Sequence, residues 1–307
     1  ADPSLNDKPD EFAALVSEIW SSPNVVSEGS ADAGMAHFGV AEDFKPVSGD
    51  TAADVRFLHR RLADGDIYFI NNREEQPVSA DMRFRVAGKV PELWEAIGGT
   101  VRQLSYSSDG ATTTVPLKLG PQDAVFIIFR KNSSTGSATA APVVTRNVGE
   151  VAGPWTVTFQ KDRGAPGGIS MAKLEPLHTN ADPAVRYFSG TATYASTINW
   201  PKGLAKGEKL WLDLGKVGDV AQVMVNGKPA GITWFAPYRV EVGSLMKRGS
   251  NRLEIKVADL WVNRLIGDQQ PGAHPISWTA LPTYKPDAPL RPSGLIGPVT
   301  LMAEKAN

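Results

Sequence analysis

The chain has 307 residues, of which 42% are hydrophobic and 21% charged, and a formal net charge of −1. Such a balance gives no electrostatic case for nucleic acid or an anionic membrane surface as partner, and no apolar run approaches the roughly 20 residues needed to span a bilayer. There is no cysteine, which excludes disulfides, zinc–thiolate sites and thiol nucleophiles.

The chain starts at Ala1-Asp2-Pro3 with no charged n-region or apolar h-region, as a mature exported protein or a piece of a longer one would. Residues 1–50 carry the strong helical signal. Phe12, Leu15, Val16, Ile19 and Trp20 fall on one stripe at helical spacing. Pro9, Asp10 and Glu11 suit a helix N-terminus. Asn24-Val25-Val26 reads as a short buried strand, and Ala31 to Phe38 as a second short helix stopped by Gly39. This piece is too small to bury a core of its own, so it reads as an α/β remnant of an upstream domain.

From Asp54 the period changes to two. Val55, Phe57 and His59 lie on one face of a strand, with Arg56, Leu58 and Arg60 on the other. Ala63–Asp66 is a turn and IYFINN the partner strand. MRFRVAG, TVRQLSYSS, TTTVPLKL and AVFIIFRK follow at short intervals, the spacing of an antiparallel sandwich. PELWEAIGG sits between two strands, where Trp94 could cap the sheet or wall a cleft. Lys131–Val144 is a Ser/Thr/Ala/Gly linker whose Val143-Val144 could start a strand. Beyond it, WTVTF, RYFSGTATYAST, KLWLDLG, VAQVMVNG, APYRVEV, NRLEIKVADLW and GPVTLMA form a second strand series. Asn226-Gly227 marks a hairpin, because both residues tolerate the positive φ of a type I′ turn. Asp268–Pro292 has turn formers and no period, and such long loops on sandwiches often carry binding residues. The fold class is mainly β: two antiparallel sandwiches at 51–146 and 147–307, behind the remnant at 1–50.

No GxSxG, Walker A, HExxH, EF-hand or dinucleotide fingerprint occurs. The four histidines lack metal-ligand spacing, and the metal and catalytic residues stay unassigned. Glu74, Glu75, Glu92 and Glu95 are conceivable acid/base carboxylates, but spacing selects no pair and a solvated face is the preferred reading of each. His59, Arg60 and Trp94 could contribute to a cleft, or His59 and Arg60 could serve a strand and a charged turn. The densest candidate group is Trp261, Asn263, Arg264 and Asp268, closing the strand from Leu253, with Trp234 and Tyr238 after a neighbouring turn. An aromatic to stack on a sugar face, with Asn, Arg and Asp for vicinal hydroxyls, suits a carbohydrate pocket. The other reading is a buried Trp with an Arg–Asp bridge that pins the loop.

FLHRRLADGDIYFINN, PELWEAIGG, RYFSGTATY, LDLGKVGDVAQVMVNGKPAGITWFAPYRVEV, LWVNRLIGD and SGLIGPVTL, in that order, resemble the C-terminal half of glycoside hydrolase family 106, the α-L-rhamnosidases. The block Tyr187–Asp268 also resembles the galactose-binding-like jelly roll of β-galactosidase and β-glucuronidase relatives. The resemblance implies a bacterial, periplasmic or extracellular enzyme that removes terminal L-rhamnose by inversion at a calcium-assisted site. It places the catalytic glutamates in an N-terminal (β/α)₈ barrel that this chain lacks, so no catalytic residue carries over and the isolated chain is expected to be inactive. A non-catalytic carbohydrate-binding module and a structural domain without ligand remain the alternatives.

Overall fold

Helix α1 (Pro9–Trp20) forms where the stripe predicts it, with Pro9 at its first turn and Asp10 and Glu11 beside the positive end of the helix dipole. The computed structural model describes residues 8–26, 29–96 and 98–306. No residue of α1 is buried, and Leu15, Ile19 and Trp20 are exposed. Asn24–Val26 is not a strand but a turn and loop; two valines make a strand only where a neighbouring edge pairs with them. Helix α2 (Ala31–His37) is capped by Ser30, whose Oγ accepts the Ala33 N–H at 3.2 Å.

The chain divides into two units, Ala1–Ala140 and Ala141–Asn307. The first holds β1 (Phe44–Gly49), β2 (Val55–Arg61), β3 (Asp66–Asn72), β4 (Val78–Phe84), β5 (Lys89–Glu95), β6 (Thr100–Gln103), β7 (Tyr106–Ser108), β8 (Thr113–Leu119), β9 (Ala124–Asn132) and β10 (Ser137–Ala138). They make two five-stranded antiparallel sheets, β1-β4-β8-β7-β10 and β2-β3-β9-β5-β6. Residues of both sheets, among them Met82, Phe84, Val115, Tyr68, Ile127 and Phe129, form one core. β5 runs through the PELW motif, so Trp94 is part of the sheet rather than a cap over it; Ile97 of the same motif lies outside the described residues.

The second unit holds β11 (Val143–Glu150), β12 (Trp155–Phe159), β13 (Gly168–Met171), the short helix α3 (Pro183–Arg186), β14 (Thr191–Asn199), β15 (Lys209–Asp213), β16 (Lys216–Val217), β17 (Val220–Val225), β18 (Lys228–Thr233), β19 (Arg239–Glu241), β20 (Ser250–Ala258), the short helix α4 (Val262–Gly267), β21 (Leu295–Gly297) and β22 (Thr300–Ala306). A six-stranded sheet, β13-β12-β14-β20-β17-β18, and a four-stranded sheet, β11-β22-β15-β19, supply its core. Alternation in VAQVMV and RLEIKV turns Ala221, Val223, Val225, Leu253, Ile255 and Val257 inward. Asn226 and Gly227 take φ values of 53° and 78° and join β17 to β18, as the dipeptide predicts. The jelly-roll-like unit thus carries a six-stranded face whose ends are closed by loops and by α4.

Candidate functional site

The segment Trp261–Asp268 is not the end of a strand. β20 stops at Ala258, and the backbone turns into α4, with Trp261 as its N-cap and Asp268 as its C-cap. Leu260, Val262, Leu265 and Ile266 leave the two-residue alternation of β20, and the helical turn lets Ile266 reach the interior. Asn263 exchanges two hydrogen bonds with the backbone of Arg291, both 2.8 Å. Arg264 donates its backbone N–H to buried Ser189 Oγ at 3.2 Å, and its guanidinium stands 2.8 Å from Asp268 Oδ1. That contact is one of charge rather than of aligned hydrogen bonding, because Oδ1 and Arg264 Nε find no hydrogen-bond partner.

Asp268 fixes the long loop. Its Oδ2 accepts the backbone N–H groups of Ile276 (3.3 Å) and Ser277 (2.9 Å) and the Ser277 hydroxyl. Burial raises its proton affinity, but the Ser277 bonds and the Arg264 charge outweigh this and hold its carboxyl below the ordinary value. The residue after this anchor is Trp278, which is 86% exposed. Trp261, 42% exposed, lies under Arg163, whose guanidinium carbon is 4.8 Å from the ring centre. Beside α4 opens a cavity of about 410 Å³ lined by Arg186, Tyr187, Arg264, Gln270 and His274. Gly267 makes that wall possible, since a Cβ there would lie 2.5 Å from the Tyr187 Cβ.

The structure therefore gathers Trp261, Asn263, Arg264 and Asp268 at one corner, with the Asn263 amide and Asp268 Oδ2 taken by protein partners and Arg264 Nε and Asp268 Oδ1 left without a hydrogen bond. Trp234, 65% exposed, and Tyr238, packed against the core, follow β18, which is separated from β20 by β17 in the sheet. Arg163 and Trp278 escaped the sequence reading. A cation–π pair across about a hundred residues leaves no local pattern, while Trp278 sits in a loop without period.

A second polar nexus lies in the same unit. Asp259 Oδ1 accepts the Gly294 N–H at 2.8 Å, but Asp259 Oδ2, Tyr194 Oη and Ser293 Oγ are sealed from solvent without a hydrogen-bond partner. Gly294, at φ 80°, has no room for a side chain, because a Cβ would lie 2.3 Å from Tyr194 Oη. Burial pushes Asp259 up to about 7; the Gly294 N–H opposes this and the Asp219 charge adds to it.

In the first unit, His59 and Arg60 are neighbours on β2 but point to opposite faces. The His59 ring stacks on Tyr68 at 4.1 Å. Its Nδ1 lies 2.8 Å from Asp43 Oδ2 and its Nε2 3.0 Å from Asp66 Oδ1, so both bonds form only when both nitrogens carry a proton. Tyr68 donates to Asp43 Oδ1 at 3.0 Å. Burial raises the Asp43 proton affinity, and the His59 and Tyr68 bonds more than reverse it. This cluster ties the start of β1 to the β2–β3 hairpin. His59→Leu should cost the first unit about 2 kcal/mol, read as faster hydrogen exchange of β2 and β3 amides; unchanged exchange would contradict a structural bridge. Trp94 is half-buried on β5, donates to Glu92 Oε2 at 3.3 Å and lies under Arg130.

The four glutamates noted above each have a local partner: Glu74 accepts the Asp54 N–H, Glu75 the Gln122 amide, Glu92 the Lys131 ammonium and Glu95 the Thr100 hydroxyl. Among the described residues no group of three or more His, Asp or Glu is placed to hold a metal ion. Among the described residues, then, no carboxylate cluster marks a place for the calcium that the resemblance implies.

Comparison with known proteins follows the same division. The family described as alpha-L-rhamnosidase matches residues 1–108, and the glycosyl hydrolase 2 galactose-binding domain-like family matches residues 172–289. A solved rhamnosidase from Novosphingobium sp. PP1Y is 46% identical over 95% of this chain, with a TM-score of 0.84. A protein of Formosa agariphila, provisionally named a beta-glucuronidase, is 36% identical over 69% of the chain. A beta-glucuronidase structure from an uncultured Clostridium sp. reaches 21% identity over 54% of this chain and 29% of its own, with a TM-score of 0.36. The chain spans 28% of the rhamnosidase and 19% of the Formosa protein.

Proposed function

We propose, from the premise that this chain is a segment of a rhamnosidase-like glycoside hydrolase with a galactose-binding-like domain, that it is the accessory β-sandwich portion of an enzyme cleaving terminal α-L-rhamnosides. The supporting observation is the similarity to a rhamnosidase over 95% of the chain at 46% identity. In this reading the catalytic carboxylates belong to a barrel outside the 307 residues, in an exported enzyme. The partner-bound state of Glu74, Glu75, Glu92 and Glu95 agrees, because inversion needs two carboxyl groups facing a cleft roughly 6.5–9.5 Å apart.

The α4 corner would then be a sugar-contacting surface. Asn263, Arg264 and Asp268 hold it in shape, and Trp278 is 86% and Trp261 42% exposed, the latter with Arg163 over its ring. An exposed aromatic offers a sugar its apolar face at little entropic cost. A site of this kind binds weakly by itself. Titration calorimetry with methyl α-L-rhamnoside should give binding that Trp261→Ala or Trp278→Ala weakens about tenfold, which is about 1.4 kcal/mol. The isolated chain should not hydrolyse p-nitrophenyl α-L-rhamnoside. Hydrolysis by this chain alone would place the chemistry here after all, and absence of any rhamnoside binding would leave a purely structural role.

A further inference from the structure

The sheet β2-β3-β9-β5-β6 is apolar on both faces. Its inner face sends Tyr68, Ile70, Leu93, Ile127 and Phe129 into the core. On the other face the register sets Leu58 opposite Phe69, Phe69 opposite Phe126, Phe126 opposite Trp94, and Trp94 opposite Val101. Directly opposed residues share a face, so these five side chains form one unbroken row across every strand of the sheet. Ile67, also on this face, lies beside it at partial exposure, whereas its opposed neighbour Ile128 is 2% exposed and already covered within the unit. The Phe69 and Phe126 rings touch, 5.3 Å between centres, while Leu58 and Val101 at the two ends are 53% and 56% exposed. An antiparallel sheet with one face on a core ordinarily shows polar residues on the other, and a contiguous apolar surface of this kind marks a place of contact.

We propose that this outer face is a protein-docking surface, covered by an apolar layer of the longer polypeptide of which this chain is a segment. The proposal rests on the segment reading given above. The occupant follows from three observations. The chain spans only 28% and 19% of its relatives, so those proteins hold far more chain able to cover it. Leu58, Phe69, Trp94 and Val101 all fall within residues 1–108, the region matched to the rhamnosidase family, and α1, in the same region, likewise has an apolar stripe with nothing buried. Finally, Arg56 and Arg60 flank the row on β2 and Arg130 lies over Trp94; Arg56 and Arg130 already pair with Asp54 and Asp64, so the charge left for the covering layer to complement is that of Arg60. A sugar is the poorer fit. Sugar sites converge polar groups on an aromatic, whereas this row is aliphatic at both ends and the Trp94 N–H is turned to Glu92.

A photo-crosslinking residue placed at Val101, and separately at Leu58, in the full-length parent protein should yield adducts to positions outside these 307 residues. Adducts only to a second copy, or none at either position, would overturn the proposal. The double variant Leu58→Glu/Val101→Glu supplies an independent reading. Both sites are more than half exposed, so the melting temperature of the 307-residue chain should stay unchanged while that of the parent falls by several degrees. An equal fall in both would show the face to be internal to this unit. Should the chain alone sediment as a dimer that the double variant dissociates, the occupant is a second copy and the proposal fails. Because none of these readouts is rhamnoside hydrolysis, an inactive parent with adducts would sink the functional reading and leave this one standing.

Discussion

Asp268→Ala is expected to destabilise the second unit by about 3–5 kcal/mol and to release the loop at 269–292. The carboxylate is 3% exposed and the Arg264 side chain 10%, so truncating Asp268 leaves a largely buried guanidinium without its counter-charge and with its Nε already unpartnered. The same change removes every bond that Oδ2 makes to Ile276 and Ser277, and with them the anchor of Trp278. The reverse change should be milder. In Arg264→Met the carboxylate keeps its three N–H and O–H donors, and the methionine fills part of the vacated volume. Limited proteolysis checks this: Asp268→Ala should be nicked within 269–292 much faster than the parent chain, with Arg264→Met between the two. Equal rates for all three would mean that the loop is held by something else.

How far the sequence carried this corner depends on the range of each interaction. Alternation in VRFLHRR and NRLEIKV predicts faces correctly, because a strand whose one face is buried repeats its signal every second residue. Asn226-Gly227 specifies its turn through backbone conformations that few residue pairs tolerate. Helix α4 is different. Six residues make less than two turns, too short for a helical period to stand out against the strand that precedes it, and the tertiary contacts of Asn263 and Arg264 decide it. The apolar outer row of the first unit was legible only as composition. AVFIIF and IYFI are apolar on both parities, which tells of burial on both faces, yet the five-strand row exists only once the register is known. The predicted strand at Asn24–Val26 failed for the complementary reason: apolar residues make a strand only where a neighbouring edge is available to pair.

Asp259→Asn is expected to flatten the pH dependence of the second unit and to stabilise it by on the order of 4 kcal/mol above pH 7. With its carboxyl pushed up to about 7 in the folded unit against an ordinary 3.8, Asp259 stays protonated over a range in which the unfolded chain has already ionised. Below that range both states hold the proton and the group costs nothing. As pH rises from about 4 to about 7 the unfolded state is progressively favoured, by about 1.36 kcal/mol per pH unit, and above the folded value the loss is complete. Asparagine keeps the oxygen that accepts the Gly294 N–H and never ionises. Asp268, whose carboxyl is held below its ordinary value, acts in a separate window, its stabilisation being present above about pH 4 and lost only below it. His178 titrates closer. Its Nδ1 accepts the Ser293 N–H, and burial lowers its proton affinity, so it opposes folding as pH falls below the ordinary histidine value. That slope is opposite to the Asp259 slope and common to both proteins, hence it cancels in their difference. Hydrogen exchange of β14 and β20 amides at pH 4.5 and pH 8 gives that difference directly. Near-equal protection at the lower pH and much stronger protection of the variant at the higher one is the expected result, whereas a difference independent of pH would show that Asp259 is ionised in the folded unit and that a partner for its Oδ2 offsets its burial.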